Sequence, residues 1–363
     1  MNVLFLVPYP TDGPSNRLRV EQYLPWLREQ GVTARVRPFM SPALYRVLYE
    51  PGQVAYKITM TMAGVAKRLA DLVRAARADV VVIHREAWPF GTALLERLIA
   101  RVCPAMVFDF DDAIYLNGSS KANPWTSRFR SARKTEAILG VSAQVIAGNR
   151  LLQTYALRYN PHVTVIPTPV DTQRYRCRSG PGRAGKIVIG WMGTHTTAAY
   201  LQMLQRPLAA LVQRYPQVEV RVVGAGRHPL ALASLRTIRW ELARELEELH
   251  QFDIGLMPMP DDEWTRGKCG FKALLYMSVG IPVVASPVGS NMEIIRDGVN
   301  GFLATNEEEW TDRLSRLIDA EGLRTRLGLA GRATVEERYS VRANAPRLLR
   351  VLEQARQNGR ASA

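Results

Sequence analysis

Residues 252–293 of the 363-residue chain read FDIGLMPMPDDEWTRGKCGFKALLYMSVGIPVVASPVGSNME. Phe252–Met257 and Ile281–Ser286 are apolar runs of strand length, and Phe271–Val279 between them has the composition of a helix. Continuous apolar runs on either side of a helix are typical of parallel strands that are covered on both faces. This stretch therefore predicts a β-α-β unit of a parallel sheet.

The same alternation extends towards both ends of the chain. Further apolar runs predict strands at Asn2–Pro8, Asp79–His84, Ala105–Phe110, Gln144–Gly148, His162–Ile166, Lys186–Gly190 and Gln217–Gly224. Proline and glycine concentrate between residues 167 and 185, which indicates a linker between two halves. We predict an α/β protein with two Rossmann-like domains facing across a cleft, residues 1–172 and 173–340. We expect residues 341–363 to form a helix that packs back on the first domain.

The overall composition is that of a globular protein with an excess of positive charge. Hydrophobic residues make up 47% and charged residues 22%, which excludes a disordered chain and a disulfide scaffold. The 41 arginines and 7 lysines give a formal net charge of +15, which indicates anionic partners such as phosphates or an anionic membrane face. Because we find no recognition motif for nucleic acid, we expect no such partner.

The chain lacks the sequence signals of membrane insertion. No stretch reaches the roughly 18 uninterrupted apolar residues of a spanning helix, and the start MNVLFLVPYP lacks the basic flank of a signal peptide. We expect a cytoplasmic protein, either free or peripheral on the inner face of the membrane. Residues 44–77 mix apolar side chains with basic ones, which is typical of an amphipathic helix on an anionic leaflet. A helix packed on its own sheet fits the same pattern.

Residues that follow strands are the candidates for chemistry, because open parallel sheets bind ligands beyond the carboxyl ends of their strands. Gly13, Ser15 and Arg17 follow the first strand in a turn that leads into a helix. Backbone N–H groups at such a turn can hold an anion, and we expect Arg17 and Arg19 to strengthen the site. An ordinary surface turn is the alternative.

Three carboxylates, Asp109, Asp111 and Asp112, cluster at the end of the third predicted strand. They could form a divalent-metal site, place a carboxylate beside a substrate hydroxyl as acid or base, or cap a helix and pair with arginine. We prefer the acid–base interpretation to the metal one. Mutual repulsion should raise one of the three pKa values if no cation is near. His84 also ends a strand, but a lone histidine is more often structural than catalytic.

Two loops of the second half suit a phosphorylated ligand. Gly193, Thr194 and His195 follow a strand and start a helix, a place suited to phosphate or ribose. Lys268 and Lys272 lie four residues apart on a glycine-rich loop that opens the next helix. This spacing predicts that both lysines share one helix face, where a diphosphate would offset their repulsion. The flanking residues are apolar, which disfavours a solvated basic face.

The run from Phe252 to Leu303 resembles the C-terminal domain of family 4 glycosyltransferases (glycosyltransferases group 1), which have the GT-B fold. The family pattern G-x-P-V-V-A-S-x-x-G…E-I-I…G-x-N-G appears here at residues 280–286, 289, 293–295 and 298–301. The resemblance implies a GT-B fold over nearly the whole chain. It also implies transfer of a sugar from a nucleotide-sugar donor to a glycan, a lipid-linked acceptor or a small molecule.

The resemblance further implies a retaining reaction without metal or cofactor, in which the nucleotide-sugar is a substrate. Lys268 and Lys272 are then the catalytic cations that stabilise the leaving diphosphate. Asp111 falls where the family has a histidine and is the third catalytic candidate. Trp240 could stack on the nucleobase or pack in the core, and Glu293 could contact the ribose or cap its helix. The implied donor contacts are Gly13, Ser15, Arg17, Gly193, Thr194, His195, Trp240, Met257, Pro258, Gly270 and Glu293.

Two positions depart from the family pattern. The family's paired glutamates, which contact hydroxyls of the donor sugar and ribose, fall at Gly267 and Leu275. Three alternatives therefore stand beside the transferase: a nucleotide-sugar epimerase of the same fold, a non-catalytic nucleotide-sugar-binding protein, and a metal-dependent transferase that uses Asp109-Phe-Asp111 as a D-x-D site.

Overall fold

The computed structural model describes residues 1–48, 50, 52–116, 132–178, 185–226 and 228–361. The chain divides into two compact units, which we call the N-terminal unit (Met1–Pro169 with Val341–Ala363) and the C-terminal unit (Val170–Ser340). Each unit contains one six-stranded sheet in which all described strand pairs are parallel. Residues 179–184 of the predicted linker lie outside the described residues.

The sheet of the N-terminal unit is flanked by helices that alternate with its strands. The strands are β1 (Asn2–Val7), β2 (Thr33–Pro38), β3 (Val80–His84), β4 (Met106–Phe110), β5 (Gln144–Ala147) and β6 (Val163–Val165). They lie in the order β2-β1-β3-β4-β5-β6. The helices are α1 (Pro14–Arg19), α2 (Leu24–Glu29), α3 (Pro42–Val47), α4 (Val54–Ala75), α5 (Leu94–Val102), α6 (Ala132–Val141) and α7 (Arg150–Ala156).

The C-terminal unit repeats this alternation. Its strands are β7 (Ile187–Met192), β8 (Val218–Val223), β9 (Leu235–Ile238), β10 (Ile254–Met257), β11 (Val283–Ala285) and β12 (Phe302–Leu303), in the order β12-β11-β10-β7-β8-β9. Its helices are α8 (His195–Ala198), α9 (Gln205–Arg214), α10 (Glu245–Leu249), α11 (Glu263–Arg266), α12 (Phe271–Ser278), α13 (Asn291–Ile294), α14 (Glu307–Asp319) and α15 (Glu321–Thr334).

The last helix, α16 (Val341–Ala361), belongs to the N-terminal unit. Near its start, Nη2 of Arg347 donates a hydrogen bond to the carbonyl of Val165 at 2.6 Å. Near its end, a Cβ atom on Gly359 would lie 2.8 Å from the amide nitrogen of Ala105. The absence of a side chain at Gly359 therefore lets the helix approach the segment that leads into β4.

The helix that the spacing of Arg17–Gln30 predicts is interrupted in the structure. α1 ends at Arg19, a short 3₁₀ turn follows, and α2 begins at Leu24 with Pro25 in its first turn. Proline lacks the N–H group that a continuous helix needs at this position, so the chain starts a new helix there. Across the described residues, no helix has both the length and the apolar character needed to cross a bilayer.

Candidate functional site

In the N-terminal unit, polar side chains converge where β1, β3 and β4 end. His84 is the last residue of β3 and is paired in register with Asp109 on β4. The His84 side chain is fully buried, and its Nδ1 lies 2.7 Å from Oδ2 of Asp109. Its Nε2 lies 2.6 Å from Oγ of Ser15, which is half-buried on α1. These three residues form a continuous hydrogen-bonded chain from the interior towards the surface.

Arg19 binds the same carboxylate from the other side. Its Nε donates to Oδ2 of Asp109 at 3.2 Å, its Nη2 bonds Oδ1, and its Nη1 donates to the carbonyl of Ile166 at 2.8 Å. Burial alone would raise the pKa of Asp109, but the charge of Arg19 and the hydrogen bond from His84 hold it below its ordinary value. The expectation that Arg19 strengthens an anion site at the turn is wrong, because its guanidinium is committed to these internal partners.

Arg85 neutralises the other two carboxylates of this cluster. Its Nε donates to Asp111 at 2.9 Å and its Nη2 to Asp112 at 2.6 Å. Burial would raise the pKa of Asp111, but the charges of Arg85, His84 and Arg19 outweigh it and hold the pKa far below its ordinary value. Mutual repulsion was expected to raise one of the three pKa values only if no cation is near. Arg19 and Arg85 are such cations, so this condition is not met. The backbone of Arg85 is left-handed, with φ 63°, a strained conformation for a non-glycine residue.

The metal interpretation of Asp109–Asp112 finds no matching cluster in the described part of the chain, which has no group of three or more His, Cys, Asp or Glu side chains arranged to share an ion. What the structure shows at these carboxylates is pairing with arginine, the third interpretation of the sequence.

The turn after β1 brings Gly13, Ser15 and Arg17 to the same edge of the sheet. A Cβ atom on Gly13 would lie 2.6 Å from Cβ of Tyr9, so the turn is tight enough to require glycine. The side chain of Arg17 is buried, and its Nη1 donates to the carbonyl of Thr11 at 3.3 Å. Asp111 lies nearby, with Oδ1 3.9 Å from Nε2 of His84. The structure thus places Ser15 and Asp111 near the same nitrogen, Nε2, of one histidine.

In the C-terminal unit, the loop after β7 lies under a lysine of α12. A Cβ atom on Gly193 would lie 2.6 Å from Cε of Lys272 and 2.6 Å from the ring of Trp191. Nζ of Lys272 is 5.6 Å from the centroid of that ring. Thr194 and His195, the next two residues of the loop, are exposed. The structure therefore brings Lys272 and the predicted phosphate loop together.

Trp240 joins this group from the other side of Gly224. Gly224 is left-handed, with φ 81°, and a Cβ atom there would lie 2.4 Å from the carbonyl oxygen of Gly193 and 3.0 Å from Cβ of Trp240. The half-buried indole donates from Nε1 to Oε2 of Glu245 at 2.8 Å. This hydrogen bond fixes the orientation of the ring beside the loop that carries Gly193.

Lys268 lies in the loop before α12 and not on the helix. α12 begins at Phe271, after Gly270 in a left-handed conformation with φ 64°. The prediction that Lys268 and Lys272 share one helix face is therefore wrong, because the chain turns at Gly270. Nζ of Lys268 lies 5.1 Å from the ring centroid of Trp264, and its carbonyl accepts a hydrogen bond from Oγ of Ser290 at 2.8 Å.

The remaining predicted donor contacts lie on neighbouring elements of the same unit. Gly270 packs on α13, since a Cβ atom there would lie 3.1 Å from Oδ1 of Asn291. Glu293 is exposed on that helix. Met257 and Pro258 are buried at the end of β10, where the carbonyl of Met257 accepts a hydrogen bond from the amide of Ser286 at 3.1 Å.

Sequence comparison identifies the part of the chain that holds these C-terminal candidates. Residues 186–320 match the model of the family described as glycosyl transferases group 1. We call residues 186–320, the part of the chain that matches, the glycosyl transferases group 1 domain. This domain includes the loop at Gly193, Trp240, both lysines and Glu293, and the family resemblance of the sequence is confirmed.

Two curated relatives match part of the chain. The chain is 25% identical over 252 residues to spore coat protein SA of Bacillus subtilis, covering 64% of this chain and 62% of that protein. It is 27% identical over 244 residues to a D-inositol 3-phosphate glycosyltransferase of Corynebacterium urealyticum, covering 62% of this chain and 52% of that enzyme. The match thus spans less than two thirds of either relative.

Similarity in structure covers more of the chain than the glycosyl transferases group 1 domain does. The solved structure of Anabaena HepE in complex with UDP and glucose aligns with a TM-score of 0.69 at 17% identity, covering 97% of this chain and 99% of that one. At 17% identity, this structural likeness shows the fold alone. The predicted GT-B class, with two Rossmann-like domains, is confirmed.

Proposed function

We propose that the protein is a glycosyltransferase that moves a sugar from a nucleotide-sugar donor to an acceptor hydroxyl. The observation that carries this proposal is the position of Lys272 over the Gly193 turn of the glycosyl transferases group 1 domain. Parallel sheets of this type bind ligands at the carboxyl ends of their strands, and Gly193 directly follows β7. A cation is therefore fixed where the diphosphate of a donor would lie.

The two lysines supply the charge that the reaction needs. When the bond between the anomeric carbon and the diphosphate breaks, negative charge develops on the phosphate oxygens. Each ammonium group is placed beside a tryptophan ring, at 5.6 Å for Lys272 and 5.1 Å for Lys268, rather than out in bulk water. Fixed cations beside developing charge stabilise a transition state. The reaction accordingly proceeds without a metal ion or a further cofactor, and the nucleotide-sugar is a substrate.

The nucleoside of the donor lies along the Gly224 side of the same loop. The indole of Trp240 is half-buried and held by Glu245, which presents a fixed ring on which a nucleobase can stack. Exposed polar groups on the loop and on α13 then serve the phosphate and ribose hydroxyls. The donor contacts in this unit are Gly193, Thr194, His195, Trp240, Met257, Pro258, Gly270 and Glu293.

Asp111 contacts a sugar or acceptor hydroxyl as a carboxylate. The Arg85 guanidinium keeps the pKa of Asp111 low despite its burial, so the group accepts hydrogen bonds and does not donate a proton. The family resemblance supports retention of the anomeric configuration. Gly13 and Arg17 shape the adjoining turn.

The acceptor is lipid-linked and reached from an anionic membrane surface. α4 buries Gly64, Arg68, Asp71 and Ala75 against its own unit and turns an apolar stripe to solvent. The stripe consists of Val54, Ile58, Met62, Leu69 and Val73, each at least half exposed. Arg46 on α3 and Arg77, two residues after the end of α4, are exposed, and the chain carries a net charge of +15. An apolar stripe with basic flanks suits the interface of an anionic leaflet.

A product assay tests the proposed function. The wild-type protein is incubated in EDTA with UDP-, GDP-, ADP- and dTDP-sugars, with and without vesicles that contain polyprenyl phosphate. We expect one donor to release its nucleoside diphosphate. The anomeric configuration of the product is then measured by NMR. Lys272→Ala should abolish this release. Lys186 is an exposed lysine before β7, and Lys186→Ala should leave the release unchanged. Absence of release from every donor would contradict the proposal.

A nucleotide-sugar epimerase is the second candidate, favoured by the burial of His84 and Asp109 beside Asp111. A histidine flanked by carboxylates can move a proton on a sugar carbon. The same assay separates the two, because an epimerase returns an isomeric nucleotide-sugar and a transferase returns free nucleoside diphosphate. Binding without either product would indicate a non-catalytic nucleotide-sugar-binding protein.

A further inference from the structure

Two tyrosine rings lie against each other in the N-terminal unit, just beyond the carboxyl end of β1. Tyr9 follows that strand, and Tyr45 comes from α3. Their ring centroids are 5.5 Å apart and their planes are inclined at 54°. The tight turn at Gly13 lies against Cβ of Tyr9. The contacts named in the proposed function include neither ring, although ligands of parallel sheets bind at this end of the strands.

Both rings have the exposure of a binding surface. Tyr9 and Tyr45 are half-buried, so each is held by its neighbours and still presents part of its surface to solvent. A phenol combines an apolar face with a hydroxyl that both donates and accepts hydrogen bonds. A sugar has the matching character, because its ring carries an apolar C–H face and a rim of hydroxyl groups. A sugar that stacks on one of these rings meets the other at an angle.

Charged groups of the turn after β1 surround the Tyr45 hydroxyl. Arg17 is buried, and its Nη1 donates to the carbonyl of Thr11 at 3.3 Å. Asp12 is exposed on the same turn. Burial raises the pKa of the Tyr45 phenol, Tyr9 raises it further, and the charge of Arg17 lowers it. The charge of Asp12 raises the same pKa, so both the cation and the carboxylate lie close to this hydroxyl.

The balance of charge here disfavours an anionic ligand. Arg85 also lowers the pKa of the same phenol, but its guanidinium is paired with Asp111 at 2.9 Å and with Asp112 at 2.6 Å. Asp12 is a third carboxylate, and Arg17 is the second cation. The carboxylates thus outnumber the arginines, and a phosphate would add negative charge to this excess. Uncharged hydroxyl groups suit both signs, since they donate to carboxylates and accept from guanidinium groups.

We propose that Tyr9 and Tyr45 form a subsite that binds an uncharged sugar ring, the terminal sugar of the lipid-linked acceptor, an inference that rests on the proposed function. The sugar stacks on a tyrosine face, and its hydroxyl groups bond the phenols and the charged side chains of the turn. The subsite lies wholly within the N-terminal unit. The group that receives the transferred sugar is therefore itself a sugar rather than the phosphate of a lipid.

Loss of either ring should weaken acceptor binding and leave the donor site intact. We expect Tyr45→Ala to raise the KM for a sugar acceptor about tenfold or more, because a stacked aromatic contact is lost. The value of kcat at saturating acceptor should stay within threefold of wild type. The rise in melting temperature that the donor induces should not change. Tyr45→Phe keeps the ring and should keep most of the affinity.

Saturation-transfer NMR on the full chain tests the subsite without any donor. The probes are the methyl glycosides of glucose, galactose, mannose and N-acetylglucosamine, with dimethyl phosphate as the anionic alternative. We expect at least one glycoside to show transfer to the protons of its ring. Tyr45→Ala and Tyr9→Ala should lose this transfer, and Tyr45→Phe should retain it. Tyr56→Ala is the matched control, because Tyr56 is an exposed tyrosine of α4, and it should behave as wild type.

Circular dichroism shows whether each variant folds, so that a loss of binding is read only from folded protein. The subsite is overturned if no glycoside binds wild type, if both folded alanine variants still bind, or if dimethyl phosphate displaces the glycoside. Nucleoside diphosphate release by wild type without glycoside binding would overturn the subsite alone. Glycoside binding that Tyr45→Ala abolishes, with no release from any donor, would overturn the proposed function and leave a sugar-binding subsite.

Discussion

Cε of Lys272 lies 2.6 Å from the position that a Cβ atom of Gly193 would occupy. Gly193 does not have a positive φ, so it is the close approach of a side chain and not the backbone conformation that requires glycine. The same missing atom would lie 2.6 Å from the Trp191 ring. The glycine therefore holds open the space in which a cation meets the loop after β7.

Gly193→Ala should displace Lys272 and weaken donor binding. A methyl group forced into this space must move the lysine or the indole, and overpacking of this kind costs about 1–3 kcal/mol. We expect the Kd for the nucleotide-sugar to rise about tenfold or more, measured by isothermal titration calorimetry. Gly322→Ala on α15 is the matched control, because a Cβ atom there meets nothing within 4 Å. Equal donor affinity in both variants would contradict this role of Gly193.

Lys272→Met should lower kcat strongly and leave the fold largely unchanged. Methionine keeps the apolar stem over the loop but removes the charge, so we expect kcat to fall about 100-fold, the scale seen when one transition-state contact is lost. Lys272→Arg keeps a cation and should retain more activity than Lys272→Met. Steady-state release of nucleoside diphosphate measures both. If the two variants were equally active, charge at this position would play no part in the reaction.

Acid should destabilise the N-terminal unit through Asp109. The pKa of this carboxyl lies below its ordinary value in the folded protein, so it contributes stability above the unfolded-state pKa that is lost as pH falls towards the folded one. Asp109→Asn removes the charge at every pH and should cost about 3 kcal/mol at pH 7, since it breaks a buried ion pair. The difference in melting temperature from wild type should shrink between about pH 5 and pH 2.

The control for this titration is Asp312→Asn, whose carboxylate is 59% exposed. It should stay close to wild type across the whole pH series, because exposed ion pairs contribute little. A constant difference between wild type and Asp109→Asn at all pH values would show that the folded protein does not stabilise the ionised form.

Charges placed in the apolar stripe of α4 should abolish membrane binding. We expect the wild-type protein to sediment with phosphatidylglycerol vesicles at low salt, and Ile58→Glu with Met62→Glu to remain in the supernatant. Ala70→Glu is the control, because Ala70 is exposed on the same helix away from the stripe. Sedimentation of the double variant at the wild-type level would contradict the proposed surface.

The interior strands and the edge strand β6 could be predicted from the sequence, whereas the edge strands β2, β9 and β12 could not. β3 and β10 are continuous apolar runs because both of their faces are covered, which is a strong signal. β2 and β12 lie at the edges of their sheets. β2 is only partly buried, and β12 has two residues. Such strands form through pairing with their neighbours, and their own residues carry little of the pattern.

The candidate site was partly predictable for a related reason. The sequence places His84 at the end of a strand, but its partners Ser15 and Asp109 are 69 and 25 residues away, so a lone histidine gives no sign of the chain it joins. For Lys268, the sequence predicted a placement that the structure does not have. Its spacing from Lys272 suggests one helix face, yet the left-handed Gly270 between them starts the helix later.

Donor binding by the C-terminal unit without metal is the central claim, and a thermal-shift series in EDTA tests it most directly. Wild-type protein, Lys268→Ala and Lys186→Ala are each heated with UDP-, GDP-, ADP-, CMP- and dTDP-sugars at about 100 times the expected Kd, where binding adds about 2.7 kcal/mol of stability. We predict that one nucleotide raises the melting temperature of wild type and Lys186→Ala by about 3 °C or more, and that Lys268→Ala loses most of this rise. No rise with any nucleotide-sugar, or an undiminished rise in Lys268→Ala, would contradict the account.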